Sequence, residues 1–239
     1  LCAEVHVWMI DLAGAAEIGA ALGLLSADER DRAGRFRFDR DRRAFILTRA
    51  ALRVMLGRYL GAPPEGIRFV YGNRGKPALA GRGALLQFNV SHSGNRAALA
   101  FTAGCEVGID VEQIRAMPDV VAIAERYFSA EERADLARVE RAARTAAFFR
   151  CWTRKEAYIK ATGEGLSAPL DGFQVTLEPG AGARFVHVRG DRSEATAWQL
   201  RDLEPGSGYA AALAIRDAAR TIRMRPLIGA SEALAHNVQ

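Results

Sequence analysis

The chain repeats its own punctuation. Ser26-Ala27-Asp28-Glu29-Arg30 returns 103 positions later as Ser129-Ala130-Glu131-Glu132-Arg133. Each is an S-x-x-E capping box, in which the serine oxygen and the glutamate carboxylate satisfy opposite ends of a helix's first turn. Ahead of each stands a strand-like alternation, Val5-x-Val7 and Val107-x-Ile109, and behind each a long helical pattern stopped by glycine, Gly61 and Gly163, both pairs 102 positions apart. Short β-rich pieces follow, Ile67 to Val70 and Phe173 to Leu177, and each copy closes on an apolar strand, Ala97 to Phe101 and Ala211 to Ile215. This order predicts an α+β fold of two similar α/β halves, residues 1–104 and 105–239, joined near Thr102 to Glu106 and related by a pseudo-twofold axis. A cleft between such halves is where a ligand binds, so the site residues are expected from both.

At 239 residues, 49% of them hydrophobic and only 8 proline, the chain has enough apolar material for a sizeable core. The formal charge of +5 favours an acidic partner, whether nucleic acid, an acidic protein or a phosphorylated ligand. Cys2, Cys105 and Cys151 are far apart and form no C-x-x-C pair, which argues against a disulfide framework or a zinc site and points to a reducing cytoplasm. No stretch approaches the ~20 apolar residues of a membrane span. The start, Leu1-Cys2-Ala3-Glu4, lacks the basic region of a secretory signal and an initiator methionine, as if trimmed.

Of 33 basic residues 30 are arginine, and two of the three lysines, Lys155 and Lys160, fall in Trp152-Thr153-Arg154-Lys155-Glu156-Ala157-Tyr158-Ile159-Lys160. A chain so averse to lysine keeps it where a compact point charge serves better than a planar fork, as at a phosphate. On a helix Trp152, Glu156 and Lys160 share one stripe, with Lys155 about a quarter turn away. An ordinary surface pair of Glu156 with Lys160, and Trp152 as core packing, explain the same spacing. In Val107-Gly108-Ile109-Asp110-Val111-Glu112 the strand period puts Gly108, Asp110 and Glu112 on one face. The two acids stand roughly 6.5–7 Å apart at Cα, close enough to share a divalent ion, with Gly108 leaving a clearing beside them. Solvated acids on a half-exposed strand are the plainer account of that hexapeptide. Phe88-Asn89-Val90-Ser91-His92-Ser93-Gly94-Asn95 reads as a strand entering a turn, with Ser91 and His92 pointing to opposite sides and therefore not a nucleophilic pair. The third lysine, Lys76, lies in the turn Asn73-Arg74-Gly75-Lys76-Pro77, and arginines crowd the first helical region from Arg30 to Arg53.

In this order and spacing, N-V-S-H-S, G-I-D-V-E and W-T-R-K-E-A-Y-I-K-A-T-G-E-G closely resemble the three signature motifs of the 4′-phosphopantetheinyl transferases. Length and internal duplication resemble the monomeric, surfactin-synthetase-activating branch rather than the short trimeric holo-acyl-carrier-protein synthases, over roughly residues 26–215. The resemblance implies transfer of the phosphopantetheine arm of coenzyme A to a serine of an apo acyl or peptidyl carrier protein, releasing 3′,5′-ADP, with coenzyme A as donor and Mg²⁺ (or Mn²⁺) as cofactor. It implies that Asp110, Glu112 and Glu156 hold the metal, that Lys155 and Lys160 neutralise the diphosphate, and that Glu156, Lys160 and Asp110 carry the chemistry, Glu156 being the candidate base for the carrier serine. By the same resemblance Ser91 and His92 lie on the phosphates at the nucleotide end, Gly75, Lys76 and Pro77 shape the adenine and phosphate pocket, and Arg32 and Arg43 match the family's N-terminal basic cluster. The nucleotide side falls in the first half, the metal, diphosphate and carrier-docking side in the second, with Ile114 to Val121 as the docking loop.

Two other readings compete. A basic nucleic-acid-binding protein would explain the charge, but the basic residues are scattered and no recognition motif accompanies them. A metal-dependent phosphohydrolase would explain D-x-E with a helical glutamate. The expectation is an enzyme that binds coenzyme A and a carrier protein, with neither nucleic acid nor membrane as partner.

Overall fold

The computed structural model describes residues 3–14, 17–72, 74–117, 119–165, 168–177 and 181–235. Leu1, Cys2, Asn73 and, within the segment expected to dock a carrier, Pro118 lie outside them.

The alternation of Val5, Val7 and Met9 against His6, Trp8 and Ile10 makes a strand, β1 (Glu4–Asp11), with both faces covered. After α1 (Ile18–Gly23), the first capping box opens α2 (Ala27–Gly34), followed by the 22-residue α3 (Asp39–Leu60), which ends on Gly61 in the left-handed conformation at φ 62°. A short 3-10 turn and the hairpin β2 (Phe69–Tyr71) and β3 (Pro77–Leu79) lead to β4 (Leu86–Ser93) and β5 (Arg96–Ala103). The second copy repeats the sequence of parts. It runs from β6 (Val107–Gln113) through α4 (Val120–Tyr127), α5 (Ala130–Arg138) behind the second capping box, and the 22-residue α6 (Arg141–Thr162) ending on Gly163 at φ 74°. Another 3-10 turn and the hairpin β7 (Phe173–Val175) and β8 (Phe185–Val188) follow, then α7 (Arg192–Thr196), β9 (Gln199–Leu203) and β10 (Tyr209–Ile215).

The sheets repeat the pattern: β1-β5-β4 in one, β6-β10-β9 in the other, with β1–β5, β5–β4, β6–β10 and β10–β9 all antiparallel. One cluster, with Ile46, Leu47, Leu52 and Met55 of α3, packs against Ile10, Leu99 and Phe101 of the first sheet. A second joins Phe149, Ala157 and Ile159 of α6 to Ala212 and Ala214 of the second sheet. The third joins the two sheets: Val5, Val7, Met9, Ala98 and Ala100 meet Val107, Ile109, Val111, Leu213 and Ile215. Ala98 and Ala100 on β5 and Ala211 on β10 are the smallest side chains of this layer.

The structure corrects one boundary. The residues after Arg216, expected with the second half, return to the first: β11 (Thr221–Met224) and β12 (Ile228–Gly229) pair parallel with β1, while Ala230 and Ala233 of α8 (Ala230–Leu234) enter the first cluster. These are two short strands of four and two residues, and a parallel partner more than 200 positions away leaves no local mark in the sequence.

Each capping-box glutamate does more than start a helix. Glu29, itself buried, accepts from Arg49 Nε at 2.5 Å and Arg53 Nε at 2.6 Å on α3, and Arg53 also donates to the carbonyls of Pro64 and Ile67. Glu132 pairs with Lys155 Nζ on α6 at 2.8 Å, and Lys155 also donates to the carbonyls of Leu170 and Phe173, both at 2.8 Å. Arg53 and Lys155 are 102 positions apart, so one buried lock is built twice. It ties the capped helix, the long helix and the turn after it. The locks differ in charge: burial raises the Glu132 carboxyl more than one ammonium lowers it, whereas at Glu29 the two guanidiniums outweigh burial and its pKa is lowered.

Candidate active site

Gly108 decides where the chemistry can form. It faces α6, and a Cβ there would lie 2.0 Å from the Ala157 carbonyl oxygen and 2.4 Å from the Ala161 nitrogen. The clearing expected beside Asp110 is therefore filled by the helix backbone. That close approach brings Lys160 against the acidic face of β6: its ammonium meets Asp110 Oδ1 at 2.5 Å and Ser91 Oγ at 2.9 Å, and the serine donates to the same Oδ1 at 2.8 Å. Asp110 is 1% exposed, and its Oδ2 is buried with no hydrogen-bond partner.

Strand β4 supplies the other wall. Its odd residues face β6: Asn89 Oδ1 accepts from the Ile109 N–H at 2.9 Å, Ser91 reaches Asp110, and Ser93 donates to Glu112 Oε2 at 2.7 Å. Ser91 thus sits with Asp110 and Lys160, on the opposite face of β4 from His92, with which the family resemblance had grouped it. His92 points the other way, as alternation requires, into a recess shared with Arg32, Phe45, Thr48, Arg49 and Tyr71. Ser93 and Asn89 were missed, although the N-x-S-x-S spacing already placed them on the face of Ser91. Thr48, 3% exposed and with an unpartnered hydroxyl, was missed as well, and nothing in its helical context marks it.

The carboxyls crowd one another. Burial, then Asp110, then Glu112 push the Glu156 carboxyl up to about 7, with Lys160 opposing. Burial and Asp110 also raise Glu112 against the Ser93 hydrogen bond. His92 is lowered by burial and by Lys160 and Arg32, which keeps its imidazole neutral around pH 7.

Lys155 is a correction. Its ammonium is 0% exposed, locked to Glu132 and lying 4.2 Å from the Phe173 ring centroid, on the opposite side of α6 from Lys160. A quarter turn of helix sends it into the core, so it cannot neutralise a diphosphate; the readable signal was its register with Arg53. Trp152 belongs to the core too, stacked on Phe148 at 5.9 Å and edge-on to Tyr127 at 5.6 Å. Arg43 donates to the Gly14 carbonyl at 2.5 Å on the loop after β1 and does not line the recess, whereas Arg32 does, its guanidinium 5.2 Å from the Phe45 ring centroid.

Gly75 and Pro77 line the recess of Arg32 and His92 and also a neighbouring cleft of about 260 Å³ that contains Glu156, Lys160, Asn89 and Lys76. Val90 is common to both, so the basic recess and the cleft at Glu156 are neighbours that share the wall of Gly75, Pro77 and Val90. Lys76 sits on the wall of the cleft, but its ammonium donates to the Ala161 carbonyl at 2.7 Å and is lowered in pKa by burial. Of the segment expected to dock a carrier, Ile114 and Met117 pack partly buried against the second core and Val120 is buried, while Val121 is 50% exposed.

Whether the acids fit a metal follows from these contacts. Among the described residues no three His, Cys, Asp or Glu side chains are gathered closely enough to hold an ion as they stand. The expected ligand set is not assembled, because Lys160 occupies Asp110 and Ser93 occupies Glu112. Its chemistry nonetheless suits a hard divalent ion: carboxylate oxygens only, a buried Oδ2 without a partner, and two carboxyls raised first by burial and then by the neighbouring Asp110, a charge a cation would offset.

Comparison with known proteins agrees along both halves. Residues 13–104 match the family model described as 4′-phosphopantetheinyl transferase, N-terminal, and residues 106–214 that of the 4′-phosphopantetheinyl transferase superfamily. The 4′-phosphopantetheinyl transferase HetI of Nostoc sp. is 39% identical over 89% of this chain and 87% of its own. The 4′-phosphopantetheinyl transferase Sfp of Bacillus subtilis is 33% identical over 65% of this chain and 68% of its own. The crystal structure of the Thermotoga maritima holo-(acyl-carrier-protein) synthase is a distant likeness, at a TM-score of 0.37 and 23% identity over 47% of this chain and 62% of that one. No helix among the described residues is long and apolar enough to cross a membrane. A two-part match in chain order, together with a relative 39% identical along 87% of its length, makes this chain a member of the 4′-phosphopantetheinyl transferases and an enzyme of that type.

Proposed function

We propose that the enzyme transfers the 4′-phosphopantetheine arm of coenzyme A to a serine hydroxyl of an apo carrier protein, releasing 3′,5′-ADP. The observation that carries this reading is the pair of neighbouring hollows, one lined by Arg32 and His92, the other by Glu156 and by Lys160, whose ammonium is held on Asp110. A nucleotide phosphate fits the first and a cation-bridged diphosphate the second. Asp110, Glu112 and Glu156 would hold Mg²⁺, which when bound supplies charge neutralisation to the diphosphate.

The chain's own residues do the rest. His92, neutral and half-buried, offers an N–H to a phosphate oxygen without a desolvated charge. Lys160 keeps a positive charge where the diphosphate must lie. Glu156, with a carboxyl near 7 in the metal-free protein, is placed to take the proton from the carrier serine as its oxygen bonds to phosphorus and the phosphoanhydride bond to 3′,5′-ADP breaks. The formal charge of +5 favours approach of an acidic carrier helix, and the Ile114 to Val121 segment, through exposed Val121, is the proposed contact.

The test is incubation with coenzyme A and Mg²⁺, with and without an apo-carrier domain. A carrier gaining the mass of phosphopantetheine together with stoichiometric 3′,5′-ADP is the expected result. Cleavage of coenzyme A without a carrier would instead make the protein a phosphohydrolase.

A further inference from the structure

The nucleotide turn and the helix that carries Glu156 and Lys160 are fastened to each other by side chains. The last four carbonyls of a helix have no partner within it, and at the end of α6 one of them, Ala161, accepts from the Lys76 ammonium at 2.7 Å. Two positions earlier on the same turn, Arg74 donates to the Glu164 carbonyl. The glycines that stop α6 lie against both stems: a Cβ on Gly163 would stand 3.5 Å from Lys76 Cδ and one on Gly165 3.5 Å from Arg74 Cδ, an ordinary packing distance. Lys76 therefore bridges the halves at the point where α6 ends. Its neighbour Pro77 lines both the recess of Arg32 and His92 and the cleft of Glu156 and Lys160. Ala161, the carbonyl it holds, directly follows Lys160.

We infer that Lys76 is a positioning residue for transfer: its ammonium does not bind the donor but sets α6 relative to the nucleotide turn, so that Lys160 and Glu156 stand in register with Asp110 when the cleft is filled. This rests on the proposed transfer from coenzyme A. The helix is pressed to β6 at Gly108 in its middle and strapped to the first half at its end, and with two fixed points it has little freedom to slide. The strap is one of only three lysines among 33 basic residues. Glu106, which also lines the space beside Lys76 and raises its pKa against burial, gives the buried ammonium a counter-charge without needing a ligand.

The experiment compares wild type, Lys76→Met and Lys76→Gln. Methionine keeps the apolar stem and loses the donor; glutamine keeps a neutral N–H donor on a slightly shorter stem. Turnover and KM for coenzyme A are measured with saturating carrier, and binding of adenosine 3′,5′-bisphosphate by calorimetry without metal. For Lys76→Met the expected result is turnover about tenfold lower with bisphosphate affinity within twofold of wild type. Lys76→Gln should recover part of that turnover, because a neutral donor can still hold a carbonyl. Hydrogen exchange at the end of α6 should slow when bisphosphate is added to wild type and not when it is added to Lys76→Met. If bisphosphate affinity falls tenfold or more in both variants, the ammonium binds the phosphate and the inference is wrong. If melting temperature drops while turnover, KM and exchange keep their wild-type behaviour, Lys76 is only a helix cap, and the inference is again wrong. A wild type that neither binds bisphosphate nor loads a carrier would overturn the proposed reaction itself, an outcome separate from any difference among the variants.

Discussion

Replacing Gly108 with alanine adds one methyl group at the narrowest point between β6 and α6. Its carbon would stand 2.0 Å from the Ala157 carbonyl oxygen, about 1.4 Å short of the 3.4 Å at which such contacts become ordinary. The obstructing atoms belong to helix backbone, so no side chain can swing aside and α6 must withdraw by something close to that distance. The contact of Lys160 Nζ with Asp110 Oδ1, now 2.5 Å, spans the same gap and would open beyond hydrogen-bond range. Overpacking of this kind costs about 1–3 kcal/mol, which for a chain of this size is roughly 2–12 °C in melting temperature. Misplacing catalytic groups by ~1 Å costs on the order of 100-fold in rate. We therefore expect Gly108→Ala to remain folded, melt several degrees lower and load a carrier about 100-fold more slowly by mass spectrometry. Binding of adenosine 3′,5′-bisphosphate in the Arg32 recess should change less than threefold. Wild-type melting and turnover in this variant would refute the claim that helix-to-strand distance sets the site.

The buried lock and the acidic cleft make further expectations. Removing one partner of a buried ion pair leaves the other unpaired at a cost of about 3–5 kcal/mol, so Lys155→Met should destabilise strongly by urea titration. The double variant Lys155→Met with Glu132→Gln should be less destabilised than the two single effects added together. Strict additivity would mean the pair is not coupled. In the acidic cleft, Glu156 in the folded metal-free protein keeps its proton between about pH 4.5 and 7, where the unfolded chain has lost it. The folded state then binds more protons, and the contribution of this group to stability falls as pH rises through that window. Urea midpoints of the metal-free enzyme should decline across it, and Glu156→Gln should flatten the decline; equal slopes in the two proteins would contradict the assignment.

The duplication was legible because capping boxes and glycine stops are local signals, and a shared offset ties them together. The strand face of Asp110 and Glu112 and the helical stripe of Glu156 and Lys160 followed from periodicity, and the structure places both stripes against each other. What periodicity could not give was the partner. Lys155 and Lys160 are both lysines near a glutamate on one helix, yet five positions turn them to opposite sides, one into the core and one into the cleft. Lys76 likewise lies on the expected turn, but its ammonium goes to a helix end 85 positions away. Arg43, expected at the nucleotide end, reaches back to the Gly14 carbonyl because its place on α3 points it at the loop after β1. Register within an element is written locally; the direction a long side chain takes is decided by what the other half brings to it.

The parallel pairing of β1 with β11 has a temporal meaning. Glu4 and its partner Thr221 are 217 positions apart, and at 5–20 residues per second a ribosome needs on the order of 10–40 s to make the second after the first. By then both long helices, the basic recess, the acidic cleft and β5, the antiparallel partner of β1, have already emerged. Until Thr221 to Gly229 arrive, β1 is paired with β5 along one side only and offers the other to any passing strand. A nascent or clipped chain lacking that segment would hold every residue of recess and cleft and still be in danger, with self-association rather than missing chemistry as its mode of failure.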